Sequence, residues 1–296
     1  MKEMDVFSRE ESFDSFGYTK VTLGGHSYLV DFNDENSTKK FLNFLCKTRG
    51  VTYRIFKEQT GKQNTVVYRT DQFSIAGEED SYLHLLYTGD SSTPEQPLGC
   101  STLSYMFVWR SDLVSLDLSH WDTSNIVELE GTFNECRKLK YLDVSTWETG
   151  NVTDIDSMFA NCMSLESLDI SRWNTSNLED AQQAFWNCYA LNELNLANWD
   201  VSNVTNFSRM FCGCKSLESI GVEYWNTKSA EVFECMFKGC KSLVSLDLSS
   251  WDTKNVTDLE KMFAECEKLD SLNLNGWRIK NMYNSDIFTS HVSLIF

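Results

Sequence analysis

The amino-acid sequence predicts an α/β fold: a right-handed solenoid of seven 26-residue repeats, preceded by a small N-terminal α+β domain. A tryptophan recurs every 26 residues without insertion or deletion, from Trp121 to Trp277. A phenylalanine keeps the same interval after Phe107, and a cysteine keeps it after Cys136. A period held this strictly is typical of stacked structural units, each of which contacts its two neighbours.

The first half of each repeat has the pattern of a short strand. Leu116, Asp117, Leu118 and Ser119 alternate apolar and polar side chains, which predicts a strand with its leucines inward. The expected strands are parallel, lie in one sheet and are centred on Leu116, Leu142, Leu168, Leu194, Ile220, Leu246 and Leu272.

The second half of each repeat has the spacing of a short helix. Val256, Leu259, Phe263 and Cys266 lie three or four residues apart, which places them on one face of a helix. Strand, turn, helix and turn together predict one coil of the solenoid.

The repeat resembles a known family. Its Leu-x-x-Leu-x-Leu segment is the strand signature of leucine-rich repeats. The longer form, with Ser-x-Trp-Asp-Thr-Ser-Asn-Val-Thr-Asp and Met-Phe-x-x-Cys, is similar to BspA-type leucine-rich repeats of the domain of unknown function 285 family, over about residues 100–280. This resemblance implies adhesion or protein binding, usually at a cell surface.

The chain divides into three parts by this pattern. Residues 1–90 are expected to form the small α+β domain, and residues 91–98, which hold both prolines of the chain, a linker or the lead into a cap. Residues 99–296 form the repeat array, which begins with a half-repeat cap and ends with a cap from about residue 277.

The N-terminal domain is predicted from shorter patterns. A helix is expected to carry Phe41, Leu45 and Cys46 and to end before Gly50. The segments expected as strands are Tyr18 to Leu23, Ser27 to Phe32, Val51 to Lys57, Thr65 to Thr70 and, as a strand or short helix, Ser81 to Tyr87.

The charge of the protein indicates which partners it would attract. The formal net charge is −17, and residues 99–296 contribute −13 of it, from 15 basic and 28 acidic side chains. An acidic surface repels nucleic acid and attracts basic proteins. The alternative is that the charge only keeps a rigid repeat array soluble.

The sequence offers little for catalysis, so no catalytic residue, metal site or cofactor is predicted. The four histidines do not stand at metal-ligand spacing from one another. A nucleophile pair of Cys46 with His26 or His84 is conceivable, but Cys46 is placed on the apolar side of its helix. Six repeated cysteines are expected to be buried, reduced core residues.

One candidate binding surface is the outward side of the predicted strands. Stacked aspartates at one repeat position would favour a cationic partner, although Asp-Leu-Ser also suits a turn in which the carboxylate binds backbone amides. The candidate residues on this side are Asp117, Tyr141, Asp143, Asp169, Glu193, Glu223 and Asp247.

A second candidate lies on the predicted helix face. Trp186 and Tyr189 occupy positions where other repeats carry mostly polar or small residues. We therefore expect both to be exposed and to form an interface anchor, or else a chance surface pair.

These observations favour a non-enzymatic protein-binding module that uses its acidic repeat surface to bind a basic protein. The alternative is a phage- or pathogen-encoded inhibitor that blocks a nucleic-acid-binding host protein, and a third is an enzyme with a site in the N-terminal domain. The first residues lack an apolar segment of secretory length, which predicts a cytoplasmic protein, or one of the host cell interior, with no membrane contact.

Overall fold

The computed structural model describes the repeat array most fully. The described residues are 91–94, 96, 102–278 and 287, together with the backbone of the strands at 18–23, 26–31, 54–60, 63–69, 73–78, 84–87 and 293–295. Among these residues, no helix is long and apolar enough to span a bilayer.

The N-terminal strands form two antiparallel sheets. The strands are β1 (Tyr18–Leu23), β2 (His26–Asp31), β3 (Arg54–Thr60), β4 (Gln63–Arg69), β5 (Phe73–Glu78) and β6 (His84–Tyr87). The β1–β2 pair is a hairpin, and the other four are adjacent in chain order. The expected strand Tyr18 to Leu23 is confirmed with its predicted ends, and the other expected strands are confirmed with shifted ends, whereas β5 was not expected. The expected helix at Phe41, Leu45 and Cys46 lies outside the described residues.

The repeats stack in parallel. The strands are β7 (Ser115–Asp117), β8 (Tyr141–Asp143), β9 (Glu193–Leu194), β10 (Ser219–Ile220), β11 (Ser245–Asp247), β12 (Ser271–Asn273) and β13 (Ser293–Ile295). Residues 26 positions apart face each other from β7 to β12, whereas β12 and β13 pair at an interval of 22. For example, Leu116 faces Leu142 in the β7–β8 pair. We call each 26-residue stretch a unit; the units begin at Leu113, Leu139, Leu165, Leu191, Leu217, Leu243 and Leu269.

The strands are divided among three small sheets, β7–β8, β9–β10 and β11–β12–β13. The prediction of one seven-stranded sheet is therefore wrong. The residues around Leu168 form no strand, which separates β8 from β9, and β10 and β11 belong to different sheets. Leu168 is nevertheless buried. The Leu168 side chain packs inward as predicted, so packing in this unit does not depend on strand pairing.

The second half of each unit is a run of turns instead of the expected helix, since residues 102–278 contain no α-helix. Two residues in each such run have a left-handed backbone, four positions apart, as at Ser157 (φ 54°) and Asn161 (φ 61°). A left-handed residue at every fourth position is incompatible with a right-handed helix. We call this half the turn side.

Backbone hydrogen bonds on the turn side link each unit to the next. The Tyr105 N–H donates to the Glu130 carbonyl and the Phe107 N–H to the Thr132 carbonyl, both at 2.8 Å. Parallel bridges continue through successive units at Thr102, Glu128, Asp154, Asp180, Asn206, Val232 and Asp258. This ladder is more continuous than the pairing of the strands.

The core consists of columns of equivalent side chains. Trp147, Trp173 and Trp199 stack with ring centroids 6.1 and 6.2 Å apart, and the predicted tryptophan column is confirmed for these units. The Trp173 Nε1 donates to the Val144 carbonyl of the preceding unit. Each repeated cysteine is free and buried, and Cys162 Sγ contacts the Phe133 carbonyl oxygen at 3.2 Å.

The segment predicted as a linker is bonded to the first unit. The Ser92 carbonyl accepts from the Asp117 N–H at 2.7 Å, and the Pro94 carbonyl accepts from Trp121 Nε1 at 2.9 Å. Residues 91–94 therefore lead into the array, and Ser92 and Pro94 satisfy donors of its first unit.

Candidate functional site

The outward positions of the first half of each unit form one surface, which we call the strand face. Asp143, Asp169, Glu193 and Asp247 are exposed on it, and Asp117 and Glu223 are half-buried. Tyr141 is 59% exposed. All seven residues predicted for this surface therefore lie on it, spread over six units.

Each aspartate of the strand face also holds a turn. The Asp169 Oδ1 accepts from the Ser171 N–H at 3.2 Å and from the Ser171 hydroxyl at 2.8 Å. Such hydrogen bonds favour the charged carboxylate, and they lower the pKa of Asp117, Asp169 and Asp247. These aspartates therefore hold turns, which was the alternative interpretation of Asp-Leu-Ser. The same hydrogen bonds keep their carboxylates ionised at neutral pH.

Three of the predicted residues come together around one groove. The groove has a volume of about 650 Å³ and runs across the units that begin at Leu165, Leu191 and Leu217. Asp169, Glu193 and Glu223 supply its carboxylates. Its other described lining residues are Ser167, Leu168, Ser171, Leu194, Asn195, Ser219, Ile220 and Gly221. Lysine, arginine and histidine do not occur among these, so three acidic groups dominate its charge.

Gly221 shapes the groove, because it stands where four other units have aspartate. Its backbone approaches the preceding unit closely: an added Cβ would lie 3.3 Å from the Ala197 nitrogen and 3.4 Å from the Ala197 Cβ. Gly221 lines the groove together with Glu223 and with Ile220, which is partly buried.

Tyr224 lies next to the groove and was not predicted as a site residue. It follows Glu223 directly and is 80% exposed. The equivalent Ser250 and Asn198 turn their side chains back to carbonyls of the preceding unit. The sequence could have indicated this residue, because the equivalent position in the other units holds mostly polar residues.

The second predicted surface is less exposed than expected. Trp186 and Tyr189 are both half-buried, and Lys215 Nζ lies 3.7 Å from the centroid of the Tyr189 ring. The expected full exposure of the two aromatics is therefore wrong, and for Tyr189 the reason is that Lys215 from the neighbouring unit lies over its ring.

A second acidic group lies on the turn side, at Glu130, Asp154, Asp156 and Asp180. Burial raises the pKa of Asp154 to about 6, and the nearby carboxylates of Asp180, Glu130 and Asp156 raise it further. The Tyr105 hydroxyl donates to Glu130 Oε1. In the part of the chain that the structure describes, no set of three side chains is arranged to hold a metal ion.

The cysteines have the properties of core residues. Burial raises the pKa of the Cys188 thiol to about 12, so this thiol is protonated and a poor nucleophile at neutral pH. Cys212 is half-buried, whereas Cys235, at another variable position, is buried.

Comparison with known families identifies the repeat array. The family described as "Mycoplasma protein of unknown function, DUF285" matches residues 101–194 and again residues 190–294. The two matches overlap at β9, inside the groove. No curated protein matches the chain, and no solved structure matches it. Since the family covers well over half of the sequence, the chain belongs to the DUF285 family of mycoplasma proteins.

Proposed function

We propose that this protein is a non-enzymatic binding module whose strand face recognises a basic surface on another protein. The observation that carries the proposal is the groove, where Asp169, Glu193 and Glu223 line one cavity without a basic side chain among its described lining residues. A groove lined by one sign of charge concentrates its field on a partner of the opposite sign.

The surroundings of the groove support a protein as the partner. Its floor includes the apolar side chains of Leu168, Leu194 and Ile220, against which the methylene groups of lysine or arginine can pack. The exposed Tyr224 beside it is of the residue type that is enriched at protein interfaces.

The test is to neutralise the groove and measure binding of a defined basic probe. The variant is Asp169→Asn, Glu193→Gln and Glu223→Gln, and the probe is hexalysine, titrated by calorimetry. Asn195 already accepts a turn hydrogen bond at the position equivalent to Asp169, so we expect the variant to fold. Affinity should fall by about tenfold or more, because exposed charge pairs are each worth up to about 1 kcal/mol.

A matched control separates the groove from net charge. Glu148→Gln, Glu179→Gln and Glu231→Gln change the net charge equally, at exposed residues away from the groove. We expect this control variant to lose at most about threefold in hexalysine affinity. Binding of hexalysine by the wild type should weaken steeply as the salt concentration rises to about 0.15 M. An equal loss in both triple variants would contradict the proposal, as would failure of the wild type to bind hexalysine.

We also propose that the stacked units form a right-handed solenoid of the BspA-type leucine-rich repeat kind. Support comes from the inward leucines at positions such as Leu116, Leu118 and Leu246 and from parallel pairing at an interval of 26 residues. The turns that replace the expected helix are a departure from the repeat as predicted.

A further inference from the structure

One hydrogen bond recurs along the strand face and is missing in the unit that contains Gly221. In six units, the residue two positions after the aspartate position donates its N–H to the side-chain Oδ1 of that aspartate or asparagine, at 3.0–3.2 Å. The acceptors are Asp117, Asp143, Asp169, Asn195, Asp247 and Asn273. The bond therefore forms with either a carboxylate or an amide oxygen.

The unit that contains Gly221 cannot form this bond, because glycine has no side chain to accept it. Among the described residues, no atom accepts from the Glu223 N–H. Gly221 and Glu223 both line the groove. A backbone donor without a protein acceptor thus lies at the groove, in the one described unit that lacks the side chain by which the other six satisfy it.

We propose that this place binds the main-chain carbonyl of an extended, basic peptide segment of the partner, with its lysine or arginine side chain beside Glu193 and Glu223. The inference rests on the proposed function and adds to it the kind of segment that is recognised. A ligand that covers this N–H removes the water bound to it, so a ligand that supplies an acceptor oxygen there is favoured over one that does not.

The charge of the groove decides which acceptor fits. Three carboxylates surround the site and would repel a carboxylate or phosphate ligand, whereas a peptide carbonyl is neutral. A cationic side chain on the same segment would be attracted by those carboxylates. Tyr224 follows Glu223 directly and is 80% exposed, so its ring is available for a cation–π contact with a bound segment. An extended segment supplies a carbonyl and a cationic side chain within a few residues of each other.

The decisive variant is Gly221→Asp, which adds a negative charge and supplies an internal acceptor for the Glu223 N–H. If the carbonyl site exists, hexalysine should bind about five- to tenfold more weakly despite the added charge, since one hydrogen bond is lost. The control is Asn195→Asp, which adds the same charge in the neighbouring unit to a side chain that already makes its turn bond. Its hexalysine affinity should be equal to or higher than that of the wild type.

Spermine serves as a second probe, because it carries positive charges on a flexible chain but has no carbonyl. We expect Gly221→Asp to bind spermine at least as tightly as the wild type does. If the variant instead strengthens hexalysine binding as much as Asn195→Asp does, the carbonyl site is excluded while the acidic binding function stands. If the wild type binds neither probe, both proposals fail.

A measurement on the unmodified protein keeps the test valid even if Gly221→Asp folds poorly. The Glu223 amide proton should move downfield in an NMR titration with hexalysine, as a new hydrogen bond forms, and should move less with spermine. An unchanged Glu223 amide resonance at saturating hexalysine would overturn the inference.

Discussion

Asp154 is an acidic side chain that the fold holds in an unfavourable place. Burial raises its pKa to about 6, and the charges of Asp180, Glu130 and Asp156 act in the same direction. The folded protein therefore binds this proton more tightly than the unfolded chain does. The stability that results is fully present below the unfolded pKa, near 3.8, and is lost as the pH rises through about 6.

Replacement of Asp154 by asparagine should therefore stabilise the protein at neutral pH. The Asp154 Oδ1 accepts from the Asp156 N–H at 2.7 Å, and Asn206 makes the same bond at the equivalent position, so the turn should persist. We expect a gain of about 1 kcal/mol at pH 7 to 8, discounted for partial solvent screening, and almost none near pH 4. Urea unfolding of both proteins across this range measures the difference, and a gain that is largest in acid would contradict the argument.

The turn side is the element whose backbone was wrongly predicted from the sequence pattern, as a short helix. Apolar residues at intervals of three and four, such as Val256, Leu259 and Phe263, are buried as predicted. The same interval arises when the chain makes successive turns with a left-handed residue at every fourth position. Burial periodicity cannot separate the two, because it reports which side chains face inward and not where the backbone N–H groups point.

Substitution of glycine by alanine tests this element by the sign of its effect. Gly213 has a φ of +79°, and an added Cβ would collide with Asn187 Oδ1. Gly213→Ala should therefore cost about 1–3 kcal/mol, whereas in a helix the same change would stabilise by about 1 kcal/mol. Gly150→Ala is the control: Gly150 does not have a positive φ, and we expect a change within about 0.5 kcal/mol. Thermal or urea unfolding distinguishes these outcomes.

The groove was predictable in its charges but not in its geometry. Asp169, Glu193 and Glu223 are recognisable as outward residues from the alternating pattern, and Gly221 as a departure from the aspartate column. That the Glu223 N–H lacks an acceptor is recognised only from the structure, where the equivalent N–H of every other described unit donates to a side-chain oxygen. Tyr224 was missed because the equivalent residue differs in type from unit to unit. The sequence therefore does not reveal that side chains at this position bond to carbonyls of the preceding unit.

At the scale of the whole molecule, the hydrogen bonds and ring contacts between described units join neighbours along the array. The turn-side bonds connect residues about 25 positions apart, and the Phe133–Phe159 and Trp147–Trp173 pairs connect equivalent positions of adjacent units. Stability should therefore be close to a sum of terms for single units and for their interfaces.

Removal of one complete unit should accordingly be tolerated. Deletion of residues 139–164 brings Trp121 opposite Trp173 and Phe133 opposite Phe185, which restores both core columns and removes one interface. We expect a folded protein with a lower melting temperature that still binds hexalysine, because the groove begins at Ser167. Deletion of residues 139–151 removes half as many residues but puts a turn side where a strand is needed. This shorter deletion should lose cooperative unfolding and peptide binding, as measured by circular dichroism melting and calorimetry. Equal damage from the two deletions would mean that the array folds as one indivisible core and not as stacked units.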